Sequence, residues 1–285
     1  MPSKNFGDGK MKTKKINFIR YPGGKQRLLK YIIPLLPSRE QIKGRFIEPF
    51  VGSGAVFFAL NPKRALLADI NPELIDLYRG IRLFPSKVWE IYKNFPKTKK
   101  AYYEIRAAKV NANDSAFKAA RTLYLNRTCF KGMWRHNSNG EFNVGYGGQD
   151  RRWVISSETL KEVSKRLKHV VLKCSDFEQT INESKEGDFI FADPPYRPGE
   201  RELLNSHYIY GKFSFFDYQR LAEALKRASN RNVRWMLTIS SHPDILSLFY
   251  GYKIVPIPKG TGRKPGILTS NSGEVIVLNY NMEGI

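Results

Sequence analysis

Short apolar runs that end in a glycine or an acid alternate with helix-spaced apolar positions toward both ends of this chain. The alternation lapses in the middle. Arg45-Phe46-Ile47-Glu48 reads as a strand running into the glycine turn Gly52-Ser53-Gly54, and Val56, Phe57, Phe58 and Leu60 begin a helix behind it. Upstream, Leu28, Leu29, Ile32 and Ile33 have helical spacing. Residues 65–69 form a second strand-like run ended by Asp69, and a helix is expected over 72–79. Between 74 and about 168 the pattern predicts helices around 86–110 and 115–125. A stretch containing Asn139-Gly140, the strongest short-range hairpin signal, follows them. The strand–helix alternation resumes with Val170-Val171-Leu172, then Asp188-Phe189-Ile190-Phe191, then a helix carrying Leu221, Ala222 and Leu225, then a strand at 235–240. Residues 252–255 and 275–278 predict a closing antiparallel pair. The expectation is an α/β chain without internal repeats. A basic arm at 1–15 precedes one α/β domain, built from 16–78 and 169–285, and a mostly helical segment, 79–168, is inserted into it.

Candidate chemistry collects where the predicted strands end. Gly52 and Gly54 let the main chain pass close to a ligand, as at the crevice of doubly wound sheets. The third glycine of the dinucleotide fingerprint is missing, which fits a nucleoside-containing ligand without pyrophosphate. Asp69 suits the hydroxyls of a ribose, and it also reads as the N-cap of the following helix, a role compatible with the first. Arg20-Tyr21-Pro22-Gly23-Gly24-Lys25 offers unencumbered N–H groups and a cation, a pattern that is common on its own. Asp176-Phe177 is a usable clamp for an adenine ring. In Ala192-Asp193-Pro194-Pro195-Tyr196, two prolines stop a strand, and the stiff turn holds an acceptor carboxylate beside a flat phenol. That pairing suits a planar amine such as a nucleobase. The alternative for the isolated string is a proline-rich turn with a capping acid and a surface tyrosine.

Charge narrows the partner. Forty-eight Lys and Arg against 26 Asp and Glu leave +22. Such an excess attracts polyanions, nucleic acid first, through its summed field and counterion release. No basic amphipathic helix or membrane-length apolar run stands out, so no membrane partner is expected. Cys129 and Cys174 lack metal-type spacing and the four histidines are scattered, so no metal is expected and a reducing cytoplasm is the simplest setting. Basic and aromatic residues crowd the predicted hairpin: Arg127, Phe130, Lys131, Trp134 and Arg135. A two-stranded ribbon fits a DNA major groove, where Arg reads guanine. A surface hairpin packing its aromatics on its own helices is the alternative.

In their order along the chain, 21–25, 48–54, 126–146 and 193–196 resemble the Dam-type (D12 class, alpha group) DNA adenine-N6 methyltransferases. They match that family's aromatic-x-Gly-Gly-Lys start, its FxGxG element, its recognition segment and its DPPY turn. The likeness spans about 16–280. It implies an α/β, Rossmann-like mixed sheet of the methyltransferase kind, with an inserted, mostly helical DNA-recognition domain carrying a β-hairpin. It implies S-adenosylmethionine as cofactor, S-adenosylhomocysteine as product, and double-stranded DNA as partner. Tyr21 and Lys25 would lie against the cofactor, Gly52 and Gly54 under its methionine portion, Asp69 on its ribose and Asp176 and Phe177 at its adenine. Asp193 and the Pro194 carbonyl would accept from the target amine, with Tyr196 stacked on the extruded base. Arg135 matches the guanine reader, Phe130 the intercalating aromatic and Met133 a position usually filled by Leu, with Arg127, Lys131 and Asn137 also on the DNA side. Lys131, Trp134, His136 and Gly145 depart from the family's usual residues.

The implied reaction is methyl transfer to N6 of a flipped adenine in a GATC-like site. A monomer is expected, with a restriction endonuclease as a possible functional companion. The alternatives are methylation of RNA adenine or of a protein glutamine amide, and an inactive DNA-binding relative. The second of these families carries Asn where this chain has Asp193 and lacks the basic aromatic hairpin.

Overall fold

Seven strands form one mixed sheet in the order β3-β2-β1-β4-β5-β7-β6. They are β1 (Phe46–Glu48), β2 (Ala65–Asp69), β3 (Val170–Cys174), β4 (Phe189–Ala192), β5 (Arg234–Ser240), β6 (Lys253–Pro256) and β7 (Glu274–Leu278). The first five run parallel, while β7 is antiparallel to both β5 and β6, so the expected closing pair is present. This is a computed structural model, and it describes residues 16–111, 113–137, 139–195, 213–258 and 273–281. The arm at 1–15, Tyr196 and the basic loop read at 258–272 (beyond Pro258) lie outside the described residues.

The period-two alternation of the strands sorts their side chains onto two faces. Phe46, Leu67, Phe189, Phe191 and Met236 face one core, while Ile47, Leu66, Ile190, Trp235 and Leu237 face the other. The second face is covered by α8 (Phe177–Asn182), α9 (Phe215–Asn230) and α10 (Pro243–Ser247). A capping box at Ser214 and Asp217 starts α9, whose buried stripe is Tyr218, Leu221, Ala224, Leu225 and Ala228.

The first face carries α2 (Ala55–Leu60), α3 (Pro72–Leu83), α4 (Pro85–Asn94), α6 (Ser115–Thr128) and α7 (Ser157–Arg166). The expected helix after Lys25 is broken into α1 (Leu29–Ile32) between two short 3-10 turns, because Pro34 cannot continue it. The inserted helices, including α5 (Lys99–Ala107), share one hydrophobic core with the sheet, and the expected 78/79 boundary falls within α3. Arg152 is buried among them, donating to the carbonyls of Tyr92, Lys93 and Phe95 at the end of α4.

Two local expectations change. The N-cap of α3 is Asn71, whose Oδ1 accepts from the N–H groups of Glu73 and Leu74; Asp69 instead caps the main chain of Asn71. The hairpin path is present, but its arms meet only in isolated bridges, Cys129 with Tyr146 and His136 with Phe142, and not in a regular ribbon. Left-handed backbone at Lys131 (φ 52°) and Gly132 (φ 66°) breaks the first arm. At the tip, Gly140 is left-handed and donates to the Asn137 carbonyl, while the Asn137 side chain accepts from Asn139 and Glu141.

Candidate active site

The sheet order reverses between β1 and β4, and the ends of β1, β2, β4 and β5 meet there. Gly52 (φ 46°) and Gly54 (φ 62°) turn the chain after β1 in a conformation that a side chain resists. A Cβ on Gly52 would stand 3.0 Å from the Tyr21 ring, so tyrosine and turn are in close contact. Asp69, at the end of β2, accepts from Gly52 N–H through Oδ2 (3.1 Å) and from Asn71 N–H through Oδ1 (3.1 Å). Burial pushes its carboxyl up to about 6, against those two hydrogen bonds. The Gly52 carbonyl accepts from the Tyr78 hydroxyl at 2.9 Å.

Asp193 follows β4 directly. Its Oδ1 lies 2.7 Å from Lys25 Nζ and accepts from the Thr238 hydroxyl at 2.6 Å. Lys25 is 5% exposed and Asp193 18%. Lys25 also donates to the Gly23 carbonyl. Pro194 is buried, and the Pro195 carbonyl accepts from the Tyr218 hydroxyl at 2.8 Å. The turn is therefore held at both ends by side chains from elsewhere in the fold. Beneath it, at the end of β1, Glu48 is buried with Oε1 accepting from Phe57 N–H (3.2 Å) and Oε2 without a partner. Burial drives its carboxyl well above the carboxylate range, and the charge of Asp193 adds to the effect.

Asp176 caps α8 through Glu178 N–H and pairs with Arg220 at 2.9 Å. Phe177 is buried in the second core, stacked on Phe50 at 5.2 Å, and the Arg220 guanidinium lies 4.8 Å from its ring. Phe177 thus lies on the sheet face opposite Tyr21.

The residues read as DNA-facing divide. Phe130 is 50% exposed, Lys131 stands over its ring at 5.1 Å, and Met133 and Arg135 are half-buried. Arg135 donates to Asn143 Oδ1 at 2.8 Å, and Asn137 is occupied in the turn. Arg127 is inside. It is 3% exposed, donates to the Arg151 carbonyl at 2.8 Å, and burial lowers its guanidinium to about 10. Its position on α6, three and four residues after Tyr124 and Leu123, places it on that helix's buried face.

Sequence reasoning did not single out Thr238, Phe50 or Glu48 as site residues. Glu48 and Phe50 flank the glycine element, and an acid and a ring beside it were the available signal. Thr238 had none, because only the pairing of β4 with β5 brings it to Asp193. Among the described residues, no group of three or more His, Cys, Asp or Glu side chains is placed to hold a metal, and no helix is long and apolar enough to cross a membrane.

The family profile described as D12 class N6 adenine-specific DNA methyltransferase matches residues 21–259. A type II methyltransferase of Lactococcus lactis subsp. cremoris is 33% identical over 95% of this chain and 98% of its own length. A type II methyltransferase of Methanocaldococcus jannaschii is 31% identical over 92% and 98%. The DNA adenine methylase of Haemophilus influenzae is 33% identical over 82% of each chain.

Proposed function

We propose a specific reaction for this chain, which belongs to the D12 class of N6 adenine-specific DNA methyltransferases: transfer of a methyl group from S-adenosylmethionine to N6 of an adenine flipped out of double-stranded DNA. The observation that carries it is the convergence at the sheet's switch point. The fixed Asp193 turn, the glycine turn and the buried Asp69 carboxylate meet there. The close seat of the Tyr21 ring on Gly52, which any side chain there would disturb, and the unpartnered Glu48 Oε2 fit a nucleoside donor carrying an amino-acid portion. Tyr21, Gly52 and Gly54 would hold that portion, Asp69 the ribose, and Asp176 with Phe177 the adenine. When bound, S-adenosylmethionine supplies an electrophilic methyl group.

The chain's own part is positional. An adenine amino group is a weak nucleophile because its lone pair is delocalised into the ring. The Asp193 carboxylate and the Pro194 carbonyl accept its two N–H bonds and favour a pyramidal nitrogen. Lys25 and Thr238 fix the carboxylate, and Tyr218 fixes the far end of the turn. Such alignment is worth up to roughly 7–11 kcal/mol. A stacked base cannot reach this geometry, so the target flips, with Tyr196 as its stacking partner. Residues 79–168 read the DNA. The half-exposed Phe130, at the base of the first arm, wedges into the duplex and Arg135 reads a guanine of a GATC-like site, while 16–78 and 169–285 perform the transfer as a monomer. Relatives named type II methyltransferases support pairing with a restriction endonuclease.

The test is to express the chain, recover the host DNA and map N6-methyladenine by single-molecule sequencing, beside Asp193→Ala. One methylated short sequence in the wild type and none in the variant is expected. Methyl label found only in RNA or in protein glutamine, or none at all in DNA that the chain binds, overturns the proposal.

A further inference from the structure

The reading segment is fastened directly to the donor side of the site. Asn126, buried in the last turn of α6, uses both ends of its amide on Arg20. Its Oδ1 accepts from the Arg20 N–H at 2.8 Å and its Nδ2 donates to the Arg20 carbonyl at 2.6 Å. His136 Nε2 lies 2.8 Å from Glu73 Oε2, in the first turn of the helix that follows Asp69. Between them, the Trp134 indole, 4% exposed, sits 5.6 Å from the Tyr21 ring, tilted by 51°. Tyr21 in turn is the ring that a Cβ on Gly52 would strike. Trp134, Tyr21 and Gly52 thus form a continuous contact from the arm that carries Phe130 and Arg135 to the floor of the glycine turn.

Trp134 holds this place at a cost. Its Nε1 is buried without a hydrogen-bond partner, a condition that a phenylalanine or leucine would avoid. Packing alone does not require the indole. What the large ring adds is reach: it joins the 133–136 arm to Tyr21, the ring that lies against Gly52.

We infer that Trp134 is a positioning residue that couples target reading to donor binding, an inference that rests on the reaction proposed above. Engagement of DNA by the arm sets Tyr21 over the glycine turn and tightens the donor site. By linkage, the donor tightens DNA binding by the same factor. Couplings of this kind are commonly about 5–150-fold, and about tenfold, in the lower part of that range, is expected here.

The probe is S-adenosylhomocysteine, which does not turn over. Its affinity is measured by calorimetry on the full chain, alone and with a duplex carrying the site mapped above. In the wild type the duplex should tighten binding by about tenfold. In Trp134→Met, which keeps an apolar side chain but loses the ring's reach, the ratio should fall below about twofold while affinity in the DNA-free protein is retained. Trp134→Phe should keep part of the coupling. At saturating DNA, Trp134→Met should raise the KM for S-adenosylmethionine and leave kcat nearly unchanged. If circular dichroism shows Trp134→Met unfolded, Tyr21→Leu removes the other half of the contact, and its ratio should fall in the same way. A ratio unchanged from wild type in the folded variant overturns the inference, as does a wild-type ratio of one. A wild type that binds no S-adenosylhomocysteine overturns instead the reaction on which it rests.

Discussion

Replacing Asp193 by alanine should remove two things that a single activity assay cannot separate. The proposed loss is the acceptor for the target amine. The structural loss is the 2.7 Å ion pair with Lys25, a cation 5% exposed that also donates to the Gly23 carbonyl. Breaking a buried pair by deleting one member costs about 3–5 kcal/mol, because the other charge stays behind without its counter-charge. With Asp193 18% exposed, some water reaches the pair, and the lower end, about 3 kcal/mol, is expected. At roughly 2–4 °C per kcal/mol for a domain of this size class, Tm should fall by about 6–12 °C. The companion variant Asp193→Ala/Lys25→Met removes both charges, and replacing such a pair by apolar groups is close to neutral. It should recover most of the lost stability and none of the methyl transfer. Denaturant titration with unchanged m-value, together with transfer of labelled methyl groups to DNA, reads both quantities on the same preparations. Less than about 1 kcal/mol lost in the single variant would show that Lys25 does not depend on Asp193. Turnover returning with stability in the double variant would refute the acceptor role.

Asp69 gives a pH prediction. Its carboxyl stands at about 6 in the folded chain against 3.8 ordinarily, so the folded state binds the proton more tightly. That contribution is complete below about pH 4 and is lost as pH rises through about 6, by roughly 3 kcal/mol at about 1.4 kcal/mol per unit. The stability difference between wild type and Asp69→Asn, followed by urea titration from pH 4 to 8, should shift by about that amount. A flat difference would place the carboxyl in ordinary solvent. Arg135→Ala should cost about 1–3 kcal/mol of discrimination at one guanine in binding to matched and mismatched duplexes. Arg127→Ala should lower stability and leave discrimination alone, since its guanidinium faces the Arg151 carbonyl. In Gly80→Ala the new methyl would meet Ala119 Cβ at 2.5 Å and the Ser115 carbonyl at 2.6 Å, forcing α3 from α6. Thermal melting should report about 1–3 kcal/mol of destabilisation, and a neutral result would mean that the helices separate freely. DNA affinity should fall steeply between low and moderate salt, as the charge of +22 requires.

The sequence by itself determined the features whose cause is local. Period-two runs fix strands because alternate side chains point to opposite faces, and the same register that sends Phe46 to one core sends Ile47 to the other. Gly52, Gly54 and the prolines after Asp193 announce turns through backbone sterics alone. The family, too, was legible, since its motifs are contiguous strings. Tertiary structure decided which residues meet. Lys25 and Thr238 reach Asp193 only because β4 lies beside β5 and the segment before α1 folds over the switch point. Arg127 reads as a DNA contact in a basic string, but helical phase and packing turn it inward. Trp134 reads as one of the aromatics of a DNA-facing hairpin until the fold buries it against Tyr21. A charge or a ring acquires its role from its surroundings, and those surroundings are supplied by residues far away in the chain.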